Sequence, residues 1–182
     1  MQRRLTFVML VAGASTGSCE LKSAIQIPES VRWRQTVTVE SKSDRISWVS
    51  EYVIHQRDWV VRETLPNSMV VVAGELRGKR FTSDRRFDPE VGSPFKILSA
   101  IYKAVNDRTP KKKTEIPRTE VDERFAMSCV FDLGRGFPVS ATWIDKKEET
   151  TSYFRYADTT RIGARAALEL IKRQLSNVPE IK

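Results

Sequence analysis

The fold of this 182-residue chain is decided by the stretch Phe125–Trp143, FAMSCVFDLGRGFPVSATW. Apolar side chains occupy alternate positions before and after its centre, the period of a strand with one buried face. Gly134-Arg-Gly136 separates the two runs and favours a tight turn, because glycine adopts positive φ at little cost. The stretch predicts an antiparallel hairpin, with a core-facing row made of Phe125, Met127, Cys129, Phe131 and Leu133.

The segments around this hairpin predict two helices. Ser93 and Pro94 are typical of a helix start, and apolar residues then recur at three- and four-residue spacing from Phe95 to Val105. The charged stretch 106–119 carries two prolines and is expected to be an exposed connection. After the hairpin we expect a third strand, Thr150–Tyr156, and a helix capped by Asp158.

The first half of the chain is typical of antiparallel strands. Val31, Trp33, Val37 and Val39 share one parity, and apolar runs follow up to Leu76. Together the two halves predict an α+β domain over residues 31–182. Its expected architecture is an antiparallel sheet of about six strands with two helices packed on one face.

The N-terminus has the order of a secretory signal: basic Arg3 and Arg4, the apolar run Leu5–Ala14, and then small residues. Gly17-Ser-Cys19 resembles the end of a bacterial lipoprotein signal, although Thr16 stands where such signals prefer an aliphatic residue. The resemblance implies a signal peptide over residues 1–18 and lipid attachment at Cys19. Residues 19–30 are then expected to be a tether.

A second cleavage site remains open after Ala12-Gly-Ala14. Cleavage there would give a soluble periplasmic protein and leave Cys19 as a thiol. Cys19 could then pair with Cys129, because an exported protein reaches an oxidising compartment.

The chain carries 31 basic and 23 acidic residues, a formal net charge of +8. A basic surface favours anionic partners, but an exported protein is not expected to bind nucleic acid. Basic residues cluster between Arg77 and Arg86 and again at Lys111–Lys113. These clusters are either solvated loops or contacts for an anionic envelope surface or an acidic protein.

The sequence contains no recognisable set of catalytic residues. Ser93-Pro-Phe-Lys96 has the Ser-x-x-Lys form, but the companion motifs of penicillin-binding enzymes are missing and the pattern is equally that of a helix start. His55 is the single histidine, and no nucleophile is marked beside it. With two cysteines and scattered carboxylates, we expect no metal site, no cofactor and no enzyme activity.

The segment Phe131-Asp-Leu-Gly-Arg-Gly-Phe-Pro138 is similar to a signature, aromatic-Asp-x-x-x-Gly-aromatic-Pro, of a family of small bacterial envelope lipoproteins without assigned function. In that family an acidic residue follows, and Asp145 is displaced from its position by one. The resemblance extends over residues 93–156. It implies a lipid-anchored envelope protein and adds no mechanism.

These observations predict an exported, lipid-anchored, non-catalytic protein of the periplasm that binds a protein or an anionic envelope surface. The alternative is a periplasmic immunity or inhibitor protein directed against a toxin or hydrolase.

Overall fold

A computed structural model describes residues 24–108 and 113–181 of the chain. Nine strands and three helices follow one another along these residues. They are β1 (Ser30–Glu40), β2 (Arg45–His55), β3 (Asp58–Thr64), β4 (Val70–Leu76), β5 (Lys79–Thr82), α1 (Pro89–Gly92), α2 (Phe95–Asn106), β6 (Lys113–Glu120), β7 (Phe125–Asp132), β8 (Phe137–Asp145), β9 (Thr150–Arg161) and α3 (Ala164–Leu175).

All nine strands belong to one sheet, in the order β5-β4-β3-β2-β1-β9-β8-β7-β6, and every neighbouring pair is antiparallel. The sheet consists of two meanders, β1–β5 and β6–β9, joined by the pairing of β1 with β9. β5 and β6 therefore form opposite edges. The connection between them contains α1 and α2 and must cross the sheet.

Helix α2 makes this crossing and packs on what we call the α2 face of the sheet. Its stripe of Leu98, Ile101, Tyr102 and Val105 is buried, as the spacing predicted. The same core cluster takes side chains from both meanders, including Trp33, Tyr52, Trp59, Met127, Phe131, Phe137, Trp143 and Tyr156. The crossing helix thus supplies the centre of the main core.

Helix α3 packs on the opposite face, which corrects the expectation that both helices share one face. Ala167, Ile171 and Leu175 are buried there against Val53 of β2 and Val60 of β3. In β2 and β3 successive residues are buried, which requires an apolar cover on each side of the sheet. A second, smaller core therefore lies behind the first meander.

The expected strand number is also wrong, because the sheet has nine strands and not about six. The edge strand β6, Lys113–Glu120, overlaps the stretch 106–119 that was expected to be a connection. Its register shifts between Ile116 and Thr119, on either side of Pro117. Proline and charged side chains are tolerated at a sheet edge, where one side of the strand needs no partner.

Strand β9 is longer than predicted and displaces the start of the last helix. Asp158, the predicted cap, lies within β9 and has φ 50°. Helix α3 begins six residues later, after Gly163, and no side chain caps it. These residues join the sheet and not the helix, because β1 extends beyond Gln35, the partner of Tyr156, as far as Val31. β9 pairs with this part of β1 up to Arg161.

The hairpin that decided the prediction is confirmed. β7 and β8 pair in antiparallel fashion from Phe125↔Asp145 to Asp132↔Phe137. The predicted row from Phe125 to Leu133 contributes to the core under α2, and Phe131 is fully buried.

The predicted signal peptide and Cys19 lie outside the described residues. Of the predicted tether, residues 24–29 have no regular secondary structure. Ile25 and Ile27 nevertheless pack against the main core. The backbone of Ile25 is held by both amide atoms of Asn106, at 2.8 Å each.

Candidate binding cleft

A cleft of about 640 Å³ opens on the α2 face, between the N-terminal end of α2 and the sheet. It exists because α2 covers only part of this face, so side chains of β1, β2, β8 and β9 remain uncovered beyond the helix start. The volume is within the range of ligand-binding clefts in proteins, about 300–1,000 Å³.

Aromatic rings form much of the cleft wall. Trp33 and Tyr52, cross-strand partners on β1 and β2, stack with ring centroids 4.8 Å apart and planes 7° from parallel. On the other meander, Phe125 and Trp143 lie 5.2 Å apart. The Tyr52 hydroxyl donates a hydrogen bond of 3.1 Å to the carbonyl oxygen of Gly92, which fixes the end of α1 against this wall.

A row of polar side chains crosses this apolar face. Gln35, Ser50 and Glu63 stand opposite one another on β1, β2 and β3. Their exposed fractions are 5%, 0% and 7%. We call these three residues the polar row. Buried polar groups are costly unless they are hydrogen-bonded, so each member needs a partner.

The partners of the polar row come from neighbouring tryptophans and from within the row. Trp33 Nε1 donates to Gln35 Oε1 at 3.0 Å. Glu63 Oε1 accepts two hydrogen bonds, from Ser50 Oγ at 3.1 Å and from Trp48 Nε1 at 3.2 Å. Within residues 24–108 and 113–181, no basic side chain forms a salt bridge with Glu63.

Burial raises the pKa of the Glu63 carboxyl, and the hydrogen bonds from Trp48 and Ser50 oppose that rise without cancelling it. The same environment raises the pKa of Tyr52 well above 10, mainly through burial and then through the charge of Glu63. The cleft therefore contains an acidic group whose charge is poorly compensated.

The rim of the cleft carries cations. Lys96 Nζ lies 3.7 Å from the centroid of the Phe125 ring, a cation–π contact. Arg124 is bound by Asp145, with Nη2 2.6 Å from Oδ2. This arginine holds the pKa of Asp145 down, at about 2, and Asp145 also accepts the backbone N–H groups of Lys147 and Glu148.

The Ser-x-x-Lys pair lies at this rim, where its lysine contacts an aromatic ring. Ser93 and Lys96 both line the cleft. Pro94 is the residue at the helix N-cap, and no side-chain hydrogen bond caps α2 there. Lys96 is directed to the ring of Phe125. A helix does follow these residues, but it begins at Phe95, and the prediction that Ser93 caps it is wrong.

His55 lies away from the cleft and has a hydroxyl partner that the sequence did not indicate. Its Nδ1 is 2.7 Å from Ser30 Oγ, and the two residues face each other across β1 and β2. The ring is buried, with 8% exposed. This is a cross-strand hydrogen bond, and neither residue lines the cleft.

Cys129 occupies the predicted core position on β7 and is buried. Burial raises the pKa of its thiol to about 11. A thiol with such a pKa is almost entirely protonated at neutral pH and reacts poorly.

The first basic cluster is exposed around β5 and partly neutralised. Lys79 pairs with Glu180 at 2.9 Å, and Arg86 pairs with Asp84 at 2.8 Å. Of the second cluster, Lys111 and Lys112 lie outside the described residues.

The signature residues have structural positions in the β7–β8 turn. Asp132 Oδ1 accepts the backbone N–H of Gly134 at 2.9 Å. Gly136 has φ 63°, and a Cβ there would lie 2.8 Å from Arg161 Nη2. The signature therefore marks a tight turn and contributes no group to the cleft.

Among the described residues, no group of three or more His, Cys, Asp or Glu side chains could hold a metal ion. In the same part of the chain, no helix has the length and apolar character needed to cross a membrane.

Sequence reasoning missed the polar row. The signal was available, because Gln35 falls on the same parity as Trp33 and Val37 and so interrupts an otherwise apolar face. Ser50 and Glu63 continue this interruption only once the register of β1, β2 and β3 is known.

No family model matches the chain, and no curated protein matches it. Among solved structures, it is similar to a chain of the Pseudomonas aeruginosa MucA/MucB complex, with 12% identity, 85% of this chain and 59% of that chain covered, and a TM-score of 0.45. A LolA-superfamily protein from Nitrosomonas europaea shows 9% identity, coverage of 76% and 89%, and a TM-score of 0.37. A DUF1329-family protein from Desulfovibrio piger shows 6% identity, coverage of 75% and 87%, and a TM-score of 0.33. The chain thus spans about three fifths of the first of these chains.

Proposed function

We propose that this chain is an exported, lipid-anchored envelope protein without catalytic activity, and that it binds a protein partner by taking an apolar segment into the cleft on the α2 face. The observation that supports this most is the cleft itself, which is open, about 640 Å³ in volume and walled by aromatic rings. Aromatic side chains in a concave site are typical anchors for a partner.

The polar row favours a protein segment over a purely apolar ligand. A hydrocarbon chain in the cleft would remove water from Glu63 and give it no new partner, which is costly for a carboxylate. A polypeptide carries apolar side chains together with hydrogen-bond donors. It can therefore cover the partly exposed rings of Phe125 and Phe154 and still bond to Glu63.

The absence of catalytic activity in this proposal follows from how far apart the reactive groups are. His55 bonds to Ser30 away from the cleft, Cys129 is buried in the core, and Lys96 contacts an aromatic ring. The Ser50 hydroxyl does bond to the Glu63 carboxylate, at 3.1 Å, but Ser50 is 0% exposed and does not line the cleft, so a substrate in the cleft does not reach it. No observation on these residues favours an inhibitor or immunity role.

The lipid anchor in this proposal rests on the order basic, apolar, small and Cys19 at the N-terminus. Cys129 lies in the core under α2 and offers no accessible partner for a disulfide with Cys19. The folded domain begins by Ile25, so an anchor at Cys19 would hold the domain within about 20 Å of the membrane, the extended reach of the intervening chain. Replacing Cys19 with Ser should move the protein from the membrane to the soluble fraction; unchanged fractionation and processing would contradict the anchor.

Partner binding is tested by closing the cleft. Val39 lines it, and Val39→Trp should fill its opening, whereas Val121→Trp places the same ring on an exposed turn. Envelope extract is passed over each immobilised domain, and captured proteins are identified by mass spectrometry. We expect a partner that is retained by wild type and by Val121→Trp and lost with Val39→Trp, with both variants melting near the wild-type temperature. Equal capture by the two variants would place binding elsewhere.

A further inference from the structure

Glu63 is an unusual residue for the wall of an apolar cleft. Its side chain is 7% exposed, yet it lines the cleft and so can be reached from it. Its two donors, Trp48 Nε1 and Ser50 Oγ, both bond to Oε1. In the described part of the chain, no salt bridge compensates its charge.

We infer that the partner segment in this cleft presents a lysine side chain, whose ammonium group binds the Glu63 carboxylate while its methylene stem lies along the aromatic wall. This inference rests on the proposed function and identifies the lysine ammonium as the group of the partner that the cleft recognises. Charge complementarity at Glu63 selects a cation, since a partly buried carboxylate is stabilised by an opposite charge brought to it. Of the two cations at the cleft rim, Arg124 is paired with Asp145, and Lys96 lies on the ring of Phe125.

The geometry favours an ammonium over a guanidinium. Arginine binds carboxylates best in bidentate fashion, which needs both oxygens free. At Glu63 one oxygen already accepts two hydrogen bonds. An ammonium is a compact donor that is satisfied by a single oxygen together with other acceptors nearby.

The aromatic walls of the cleft can accommodate the methylene stem of a lysine side chain. Trp48, Phe125 and Phe154 line the cleft and are only partly buried, so a chain of methylenes can be buried against them. The cleft already contains one such arrangement, because the ammonium of Lys96 lies on the ring of Phe125 at its rim. Aromatic rings also attract cations directly.

The test uses two peptides as probes of the mature protein. One is acetyl-Gln-Leu-Val-Lys-Val-Leu-Gln-amide, and the other has norleucine in place of the lysine, which keeps the stem and removes the ammonium. Binding is followed by tryptophan fluorescence and by calorimetry, with wild type, Glu63→Gln and Glu115→Gln. Glu115 is an exposed carboxylate on β6 outside the cleft, so its variant controls for the loss of one negative charge.

We expect wild type and Glu115→Gln to bind the lysine peptide about tenfold more tightly than the norleucine peptide, the effect of one charge-assisted hydrogen bond. In Glu63→Gln this preference should disappear, and the norleucine peptide should bind no more weakly than it binds wild type, because covering a neutral amide costs less than covering a carboxylate. The amide oxygen of the variant can still accept the bonds of Trp48 and Ser50, and a thermal melt checks that the variant is folded.

The remaining outcomes separate the two proposals. Equal affinity of wild type for both peptides, or a preference that survives in Glu63→Gln, overturns the lysine inference and leaves a protein segment in the cleft. Failure of both peptides to bind wild type contradicts the inference and the proposed function together. A third arm uses vesicles of phosphatidylethanolamine; their binding through Glu63, without binding of the lysine peptide, would assign the cleft to a lipid head group and overturn both.

Discussion

The hydroxyl of Tyr102 donates a hydrogen bond of 2.6 Å to the carbonyl oxygen of Gly136. The bond joins the middle of α2 to the turn between β7 and β8, across a separation of 34 residues in the chain. Burial raises the pKa of this phenol, so that it remains a donor throughout the physiological range. Gly136 has positive φ, and the bond therefore holds the crossing helix to a turn that requires glycine.

Removing this hydroxyl should destabilise the domain without changing its fold. Tyr102→Phe leaves the carbonyl oxygen of Gly136 buried and unpaired, which costs about 1–3 kcal/mol. Urea unfolding followed by circular dichroism measures the loss in free energy of unfolding. Tyr153→Phe is the matched control, because that ring is 42% exposed and its hydroxyl loss should cost little. Equal losses in the two variants would mean that the buried bond contributes nothing specific.

Phe131 is the central side chain of the predicted row, and it lies edge-on to Tyr102 with ring centroids 5.1 Å apart. Phe131→Ala should lower the free energy of unfolding by about 3–5 kcal/mol, the usual cost of emptying an aromatic core site. Phe131→Leu, which keeps most of the apolar volume, should cost clearly less. A denaturant series on the two variants decides the matter; a wild-type midpoint for Phe131→Ala would mean that this face is not packed.

The hairpin and α2 were predictable because each has one buried face. An element with one buried face has apolar residues at the spacing of a strand or of a helix. Phe125 to Leu133 alternate, and Phe95 to Val105 recur at helical spacing. The edge strands β5 and β6 show no such apolar spacing. β6 contains Pro117 and several charges, which an edge tolerates, so its composition is that of a loop.

The placement of α3 could not be predicted for a different reason. The spacing of Ala167, Ile171 and Leu175 predicts that one side of the helix is buried. It does not indicate which face of the sheet that side packs against. The clue lay in β2 and β3, where Tyr52 to Ile54 and Trp59 to Val61 are buried without alternation. The cleft depends on the same kind of information, since the polar row forms only when the register of three strands is known.

The second core gives a separate prediction. Ile171 is fully buried against β2 and β3, so Ile171→Ala should cost about 2–5 kcal/mol. Lys172→Ala, at the next and exposed position of α3, should stay within about 0.5 kcal/mol of wild type. Thermal and urea unfolding report both. If Ile171→Ala were as stable as Lys172→Ala, α3 would not be anchored on this face.

The Cys129 thiol should be unreactive in the native domain. Its pKa of about 11 leaves little thiolate at pH 8, and the side chain is 5% exposed. In a Cys19→Ser background, labelling with a thiol reagent should be complete in denaturant and negligible without it. Rapid labelling of the folded protein would show that the core beneath α2 opens, and would restore Cys129 as an accessible disulfide partner.

The last prediction concerns the charge of Glu63 and its effect on stability. Because the folded state raises the pKa of this carboxyl above 4.5, the folded protein binds its proton more tightly than the unfolded chain does. Wild type should therefore lose stability, relative to Glu63→Gln, as the pH rises from about 4.5 through the folded pKa of Glu63. The donors Trp48 and Ser50 do not titrate in this range, and Tyr52, which also faces Glu63, stays neutral because its pKa is raised well above 10.

Urea unfolding at a series of pH values from 4 to 8 measures the difference between the two proteins, with Glu115→Gln as the control for a lost surface charge. A difference that is constant across this range, or that shrinks as the pH rises, would mean that the carboxylate is not destabilised by its place in the cleft, and would remove the electrostatic reason for a cationic ligand there.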